Sequence, residues 1–136
     1  MEKTVTFAVG AMLLYTGWAF LAKVAMGGLP AEQAVVYTYT AGIGVAVTYV
    51  TVTGDKLVAA PGSIGIALVA GVFLGGGTIA YYVALGSGSA AIATGISGMY
   101  ILGTAVLAIT VLNESLTRVE LAGLGCAVIA VILLSR

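Results

Sequence analysis

Residues 91–116 read AIATGISGMYILGTAVLAITVLNESL, and this stretch decides the fold class. It runs for more than twenty residues without a formal charge before it reaches Glu114. A helix that crosses a lipid bilayer needs about 20 consecutive, mostly apolar residues. The stretch also carries Thr, Ser and Gly along its whole length. It therefore predicts a transmembrane helix that keeps hydroxyl groups inside the membrane.

The composition of the whole chain supports this interpretation. Of its 136 residues, 61% are hydrophobic and 7% are charged, whereas a typical soluble domain has about 25% charged residues. Five basic and five acidic residues give zero net charge, so the balance indicates no nucleic-acid partner and no polybasic membrane-surface patch. We therefore predict an all-α, multi-pass protein of the inner or plasma membrane, with the lipid bilayer as its partner.

The residue inventory argues against an enzyme. The chain has no His, its single cysteine, Cys126, lies within an apolar run, and its carboxylates are scattered. One chain therefore cannot assemble a zinc, haem or iron–sulfur site. It also has no phosphate-binding loop after a strand and no nucleophile elbow. We expect no catalytic residues, no metal and no cofactor.

Five apolar segments are separated by turn-forming residues. We predict transmembrane helices at residues 4–26, 31–52, 63–85, 88–112 and 117–135, in one domain over residues 1–136. Pro30 is placed to open the second helix, with Glu32 in its first turn. Pro61-Gly62-Ser63 is expected to close the longest loop, and Ser115 or Thr117 to cap the fifth helix.

Five spans place the two termini on opposite sides of the membrane. Lys3, Lys56 and Arg118 fall on the N-terminal side, and Lys23 and Arg136 fall on the other. This is almost no bias, so the chain could insert in both orientations; alternatively, the first helix alone decides the orientation. If both orientations form, we expect an antiparallel homodimer of ten helices, the inverted-repeat arrangement of many secondary transporters.

Small and hydroxylated residues recur at helical spacing in three spans. The stripes are Ala90, Thr94, Ser97, Ile101, Thr104 and Ala108 in span four; Tyr37, Thr40, Gly44 and Thr48 in span two; and Gly71, Gly75, Thr78 and Tyr82 in span three. In lipid, such stripes serve either as helix-packing seams or as the lining of a polar cavity. The pattern alone leaves both interpretations open.

The aromatic residues near these stripes favour a cavity. Ring faces and hydroxyls would accept a small-molecule substrate that is an amphipathic metabolite, such as an amino acid, or a lipophilic cation. The predicted substrate-binding residues are Trp18, Lys23, Tyr37, Thr40, Thr78, Tyr82, Thr94, Ser97 and Tyr100. Lys23 lies close enough to the end of span one that it could instead extend to water.

Three segments resemble a known family. YTGWAFLAKVA at 15–25, YYVALGSGSAAIA at 81–93 and LNESLTRVELAGLGCAVIAVILL at 112–134 are similar to the EamA domain of the drug/metabolite transporter superfamily. The resemblance covers the whole chain and implies one five-helix domain, half of a ten-helix inverted-repeat transporter. It matches the small, single-domain bacterial and archaeal branch, which implies dimerisation.

The resemblance also assigns individual positions. Trp18 and Lys23 correspond to the family's first-helix pair, Glu114 to the acidic residue after the fourth helix, and Gly123 to the early glycine of the fifth. The chain has Ile101 where many members have a proline, which leaves a fixed kink in span four in doubt. It has Asn113 where the family usually has glycine before the glutamate.

The function predicted from these features is small-molecule transport by alternating access. No span centre carries a carboxylate or His, so we expect a facilitator or exchanger rather than a proton antiporter. An alternative is a non-transporting membrane subunit whose hydroxyl stripes dock a partner protein. The fifth span and the absence of an acidic residue within span one argue against a small four-helix multidrug exporter.

Overall fold

The computed structural model describes residues 2–54, 57–58 and 60–134 of the chain, and the regular secondary structure in these ranges is helix, with no strand. The helices are α1 (Glu2–Ala25), α2 (Ala31–Thr53), α3 (Pro61–Ser87), α4 (Ala90–Ser97), α5 (Tyr100–Val111) and α6 (Arg118–Leu134). The predicted all-α class is confirmed. Lys56 in the predicted long loop, and positions 135 and 136 at the end of the fifth span, lie outside the described residues.

Four helical stretches are long and apolar enough to cross a bilayer. They are Lys3–Ala25, Ala31–Thr53, Pro61–Ser87 and Ala90–Val111, and the last combines α4 and α5 and is called span four below. In each, 6% of the most apolar window is buried inside the chain, so most of this apolar surface must be covered by lipid or by protein. Helix α6 has 17 described residues and is about 25 Å long at 1.5 Å per residue.

Proline and glycine set the ends of α2 and α3. Pro30 is extended (φ −61°, ψ 149°) and precedes α2, which has Glu32 in its first turn and ends at Gly54 in the left-handed region (φ 71°). Helix α3 begins at Pro61 rather than at residue 63 and ends at Ser87 rather than at residue 85. The prediction that Pro61-Gly62-Ser63 closes the loop is therefore wrong. Proline is well suited to the first helical position, because its missing N–H has no partner there in any case.

Span four, which the sequence predicted as one transmembrane helix over 88–112 with a kink left in doubt, is interrupted. Helix α4 ends at Ser97, Gly98 and Met99 form a turn, and α5 starts at Tyr100. Through this turn, N–H groups donate three residues back instead of four: Met99 to Ile96 at 3.1 Å and Leu102 to Met99 at 2.9 Å. Glycine makes the break possible without proline, because it favours a continuous helix less than other residues do.

The connection after α5 depends on one residue with positive φ. Asn113 lies in the left-handed region (φ 56°), and the Glu114 N–H donates to the Ala108 carbonyl oxygen at 3.1 Å. Helix α6 then begins with a capping box, in which the Thr117 N–H donates to a Glu120 carboxylate oxygen at 2.7 Å and the Glu120 N–H donates to the Thr117 hydroxyl at 3.3 Å. Of the two predicted caps, Thr117 is the one used.

The chain divides into two compact units, Met1–Ser87 and Gly88–Arg136. In the first unit, α3 packs against both α1 and α2; in the second, α4 packs against α6. The buried side chains of the first unit are Ala22, Ala31, Ala34, Val35, Thr78, Tyr81, Tyr82 and Leu85. Half of these are small, namely Ala22, Ala31, Ala34 and Thr78, which lets the helix backbones approach closely.

Candidate functional site

Three helices of the first unit meet at the hydroxyl of Tyr82. The Trp18 indole N–H on α1 donates to this hydroxyl at 3.2 Å, and the hydroxyl shares a 2.7 Å hydrogen bond with Thr38 on α2. Tyr82 is 1% exposed. A buried hydroxyl away from water must have partners, and here the partners come from two other helices, so Tyr82 joins α1, α2 and α3.

A second hydroxyl pair joins α2 to α3 one turn away. The Tyr39 hydroxyl donates to the Thr78 hydroxyl oxygen at 2.7 Å, and the Thr78 hydroxyl donates to the Leu74 carbonyl oxygen at 2.7 Å. Thr78 lies four residues before Tyr82, on the same face of α3. The two pairs therefore form a continuous seam of paired hydroxyls along that face.

Aromatic rings surround the seam. The Trp18 ring stacks on Tyr81, with 5.3 Å between centroids and a 30° interplanar angle. It also contacts Tyr82 at 6.1 Å and meets Tyr15 edge-on at 6.5 Å and 69°. We call Trp18, Thr38, Tyr39, Thr78, Tyr81 and Tyr82 the ring–hydroxyl cluster. Offset and edge-on pairs of this kind contribute about 0.5–1.5 kcal/mol each beyond the surface that they bury.

Lys23 extends from the last turn of α1 towards the C-terminal end of α3. Its side chain is half-buried, and its ammonium group donates to the carbonyl oxygen of Leu85. The last carbonyls of a helix lack intrahelical partners and carry partial negative charge, so a cation is favourable at this position. Lys23 thus binds the end of α3 and stabilises the packing of α1 against it.

The structure places the nine predicted substrate-binding residues in three locations. Trp18, Lys23, Thr78 and Tyr82 lie within the packed part of α1–α3, where Trp18 and Lys23 bond to α3 and Thr78 bonds to α2. Tyr37 and Thr40 lie on an exposed face of α2; Tyr37 is 64% exposed, and the Thr40 hydroxyl donates to the Val36 carbonyl of its own helix. Thr94, Ser97 and Tyr100 are exposed beside the break in span four. Their substrate-binding role stays a prediction.

The residues that α2 contributes to the cluster are not the predicted ones. Thr38 and Tyr39 form the hydrogen bonds, whereas the predicted stripe of Tyr37, Thr40, Gly44 and Thr48 is exposed in the chain. Ala31, Ala34 and Val35 are buried one and two turns earlier, and Thr38 and Tyr39 continue their i, i+3, i+4, i+7, i+8 spacing. The spacing alone does not select this face, because the exposed stripe of Tyr37, Thr40, Gly44 and Thr48 is equally regular in the sequence.

The predicted stripe in span three matches the packed face of its helix. Thr78 and Tyr82 are buried and Gly75 is half-buried, while Gly71 is exposed nearer the start of α3. The predicted stripe in span four is different, since the break at Gly98 and Met99 divides it. Thr94, Ser97, Ile101 and Thr104 are all exposed among the described residues.

The described part of the chain offers hydroxyls, ring faces and amides to a bound molecule. Within residues 2–54, 57–58 and 60–134, no three His, Cys, Asp or Glu side chains come close enough together to hold a metal ion. The acidic side chain described within α1–α3 is Glu32, in the first turn of α2. The chemistry available at the cluster is therefore hydrogen bonding and attraction to aromatic rings.

Comparison with known proteins identifies one family. A sequence profile described as the EamA-like transporter family matches residues 2–136, nearly the whole chain. Neither a curated protein nor a solved structure is significantly similar to the chain.

Proposed function

The chain belongs to the EamA-like transporter family, and on that premise we propose that it is one half of a small-molecule transporter that works as an antiparallel homodimer. The family and the four apolar helical stretches make it a multi-pass membrane protein. Its proposed location is the inner or plasma membrane. Its proposed substrates are amphipathic metabolites, such as amino acids, or lipophilic cations, which move by alternating access.

The observation that carries the proposal is the amount of polar surface that the chain leaves uncovered within its spans. Thr40, Thr48 and Tyr37 are exposed on α2, and Thr94 and Ser97 are exposed in span four. The Thr40 and Thr48 hydroxyls donate to carbonyl oxygens of their own helix. Within a membrane, it is therefore the exposed phenol of Tyr37 and the exposed hydroxyl of Ser97 that favour protein or water beside these faces. A second copy of the chain supplies the protein, and a pathway between the two copies supplies the water.

The two parts of the proposed mechanism have different structural support. Alternating access requires one element to change shape while others stay rigid. The paired hydroxyls and stacked rings of the ring–hydroxyl cluster favour α1–α3 as the rigid part. The turn at Gly98 and Met99 gives span four a bending point near its middle, although Ile101 stands where many family members have proline.

The absence of a carboxylate from the middle of the described spans favours facilitated transport or exchange. A proton-coupled transporter needs a group that binds and releases a proton inside the membrane. Glu32 and Glu120 both lie in the first turns of their helices, and Glu114 lies in the connection after α5. We therefore expect flux to follow the substrate gradient and not an imposed pH gradient.

Membrane topology tests the antiparallel homodimer. Gly28 and Ser115 are exposed, uncharged and in connections that the five-span topology puts on opposite sides, so Gly28→Cys and Ser115→Cys leave the Lys/Arg balance intact. Each is made in a Cys126→Ala background and labelled with an impermeant thiol reagent from each side of the native membrane. Comparable labelling of each site from both sides is expected.

One-sided labelling of both variants would overturn the antiparallel homodimer. Transport by the purified chain in liposomes separates the remaining interpretations. Solute counterflow by a chain of fixed orientation would show a parallel assembly. A chain that moves no solute and copurifies with another membrane protein would instead be the partner-docking subunit.

A further inference from the structure

We propose that the corner formed by the Tyr15 and Trp18 rings binds the alkylated ammonium group of an organic cation. This inference rests on the proposed transport function and narrows its substrate class. Two observations support it: the arrangement of the Tyr15 and Trp18 rings, and the hydrogen bonds that the buried polar side chains of the first unit already form. Both features lie within Met1–Ser87.

The Tyr15 and Trp18 rings lie at a steep angle to each other, and the Tyr15 ring is exposed at the surface of the chain. Tyr81 is 8% exposed and stacks on the Trp18 ring at 5.3 Å, so it occupies one face of the indole. Tyr15 meets the indole at 69° with 6.5 Å between centroids, and Tyr15 is 63% exposed. Two nearly perpendicular rings, one of them exposed and the other half-exposed, can both contact a group of the size of trimethylammonium.

The Trp18 wall is held in place. Its indole N–H donates to the hydroxyl of Tyr82, which is itself 1% exposed and bound to Thr38. Rotation of the indole would break this bond and leave a buried hydroxyl with one partner fewer. A ring that is fixed before the substrate arrives loses little conformational freedom on binding, which favours affinity.

The site is better suited to a cation than to a neutral group. Aromatic faces carry partial negative charge, so a cation over such a face is attracted to it and a neutral group of the same shape is not. Trp18 lies seven residues before the end of α1 at Ala25, which is about 10 Å along the helix axis and thus within the apolar part of the span. Among the described side chains of α1–α3, the acidic one is Glu32 at the start of α2, so ring faces are the groups that can attract a cation near Trp18.

Alkylation of the ammonium group follows from the hydrogen bonds of the cluster. Every buried side-chain donor and acceptor among the described residues already has a partner. A primary ammonium brings three N–H donors that need acceptors, and the hydroxyls of Tyr82 and Thr78 each already take part in two hydrogen bonds. A fully alkylated ammonium has no N–H and needs none.

The positive charge of Lys23 predicts how a mutation at this position should change the affinity for a cation. It lies five residues after Trp18 on α1, about 7.5 Å along the axis, and its ammonium group donates to the Leu85 carbonyl. A cation at the corner is repelled by this charge, although the C-terminal end of α3 offsets part of it. We therefore expect Lys23→Gln to tighten the binding of a cation and to leave the binding of a neutral molecule of the same shape unchanged.

The chain carries its own reporter, because Trp18 is its single tryptophan. Trp18 fluorescence of the purified chain is titrated with benzyltrimethylammonium and with neopentylbenzene, the neutral molecule of the same shape. Saturable quenching is expected, with the cation bound about tenfold more tightly than the neutral molecule.

Replacing tryptophan by 5-fluorotryptophan changes one residue and withdraws negative charge from the face of its ring. The substitution should weaken the binding of the cation and leave the binding of the neutral molecule unchanged. Equal affinity for the two probes, or no effect of fluorination, would overturn the proposal.

Variants of Tyr15 supply a second test that does not alter the packed cluster. Tyr15→Phe keeps the ring face and should bind the cation normally, whereas Tyr15→Leu should bind it about fivefold more weakly. Tyr49→Leu is the matched control, since Tyr49 is a 69% exposed tyrosine on α2 outside the corner. If Tyr15→Leu and Tyr49→Leu behave alike, the corner does not bind the cation.

Counterflow in liposomes separates this inference from the proposed function. If the cation binds at Trp18 as described but the chain moves no solute, the result supports the cation site and contradicts the proposed transport function. If the chain moves solutes while benzyltrimethylammonium leaves Trp18 fluorescence unchanged, the result supports the transport function and shows that the corner does not bind the cation.

Discussion

In α3, 27 residues form one helix from Pro61 to Ser87, whereas the 22 residues of span four are divided at Gly98 and Met99. Both stretches are apolar and rich in glycine, so glycine content does not explain the difference. The part of α3 from Thr78 to Leu85 is packed between α1 and α2 and buries four side chains. Helix α4 buries one, Ala93, and α5 buries none.

The comparison indicates that tertiary contacts, rather than composition, keep a glycine-rich span straight. Glycine destabilises a helix interior by about 1 kcal/mol relative to alanine, and the hydroxyl bonds of Thr78 and Tyr82 to α2 support α3 against this loss. We therefore assign rigidity to α1–α3 and bending to span four. The predictions below test this division.

The largest effect is expected from removing the central ring of the cluster. Tyr82→Ala should lower the stability of the first unit by about 3 kcal/mol, because it deletes a buried ring and two hydrogen bonds. Tyr100→Ala, at a position 71% exposed beside the break, should change stability by less than about 0.5 kcal/mol. Thermal or denaturant unfolding of the detergent-purified chains measures both. Similar losses for the two variants would remove the distinction between the regions.

Amide hydrogen exchange compares the two helices without mutation. The Ile101 N–H donates three residues back, to the Gly98 carbonyl at 3.3 Å, whereas Gly76 lies within the uninterrupted part of α3. The Ile101 amide should exchange about thirtyfold faster than the Gly76 amide, since local opening at the break disrupts fewer packed contacts. Equal protection of the two amides would show that span four is as rigid as α3.

The helix ends extend the comparison to the connections. Helix α2 ends at Gly54 (φ 71°) and α5 is followed by Asn113 (φ 56°), so both need a residue that tolerates left-handed backbone. Asn113→Val should lower stability by about 1 kcal/mol, and Asn113→Gly should leave it nearly unchanged. Thermal unfolding of both variants measures the difference. A harmless Asn113→Val would mean that this turn does not limit the stability of the second unit.

The smallest effect concerns one hydrogen bond of the cluster. Thr38→Val and Tyr82→Phe each remove one side of the 2.7 Å bond between these residues. In a double-mutant cycle, their coupling energy should be about 0.6 kcal/mol, the usual size for a hydrogen bond between membrane helices. A matched cycle of Thr40→Val with Tyr82→Phe should show no coupling, because the Thr40 hydroxyl donates within its own helix. Coupling of the same size in both cycles would argue against a direct bond.

Much of the fold could be predicted from the sequence because apolar length alone identifies membrane spans. The segments predicted at 4–26, 31–52 and 63–85 correspond to α1, α2 and α3 within a few residues. The departure from glycine at Asn113 is also explained, because asparagine is the other residue that commonly adopts left-handed backbone. These features depend on local chemistry.

The packed face of α2 and the break in span four could not be predicted in this way. In lipid, both faces of a helix are apolar, so hydrophobic periodicity does not mark the face that packs. Thr40 and Thr38 look equivalent in the sequence, yet only Thr38 of the two reaches Tyr82. Gly95, Gly98 and Gly103 are all compatible with a bend, so the sequence does not distinguish among them, and in the structure the break falls at Gly98.

Distances between spin labels test the division into a rigid and a bending region most directly. One pair, Ile92→Cys and Val106→Cys, flanks the break; the other, Val69→Cys and Val83→Cys, lies within α3; all four residues are exposed and both pairs are fourteen residues apart. Each pair is made in a Cys126→Ala background, diluted with unlabelled chain and measured by pulsed dipolar spectroscopy in liposomes. Within α3, we predict one narrow distance distribution centred at about 21 Å. Across the break, we predict two populations. A single narrow distance of the same width in both pairs would contradict the account.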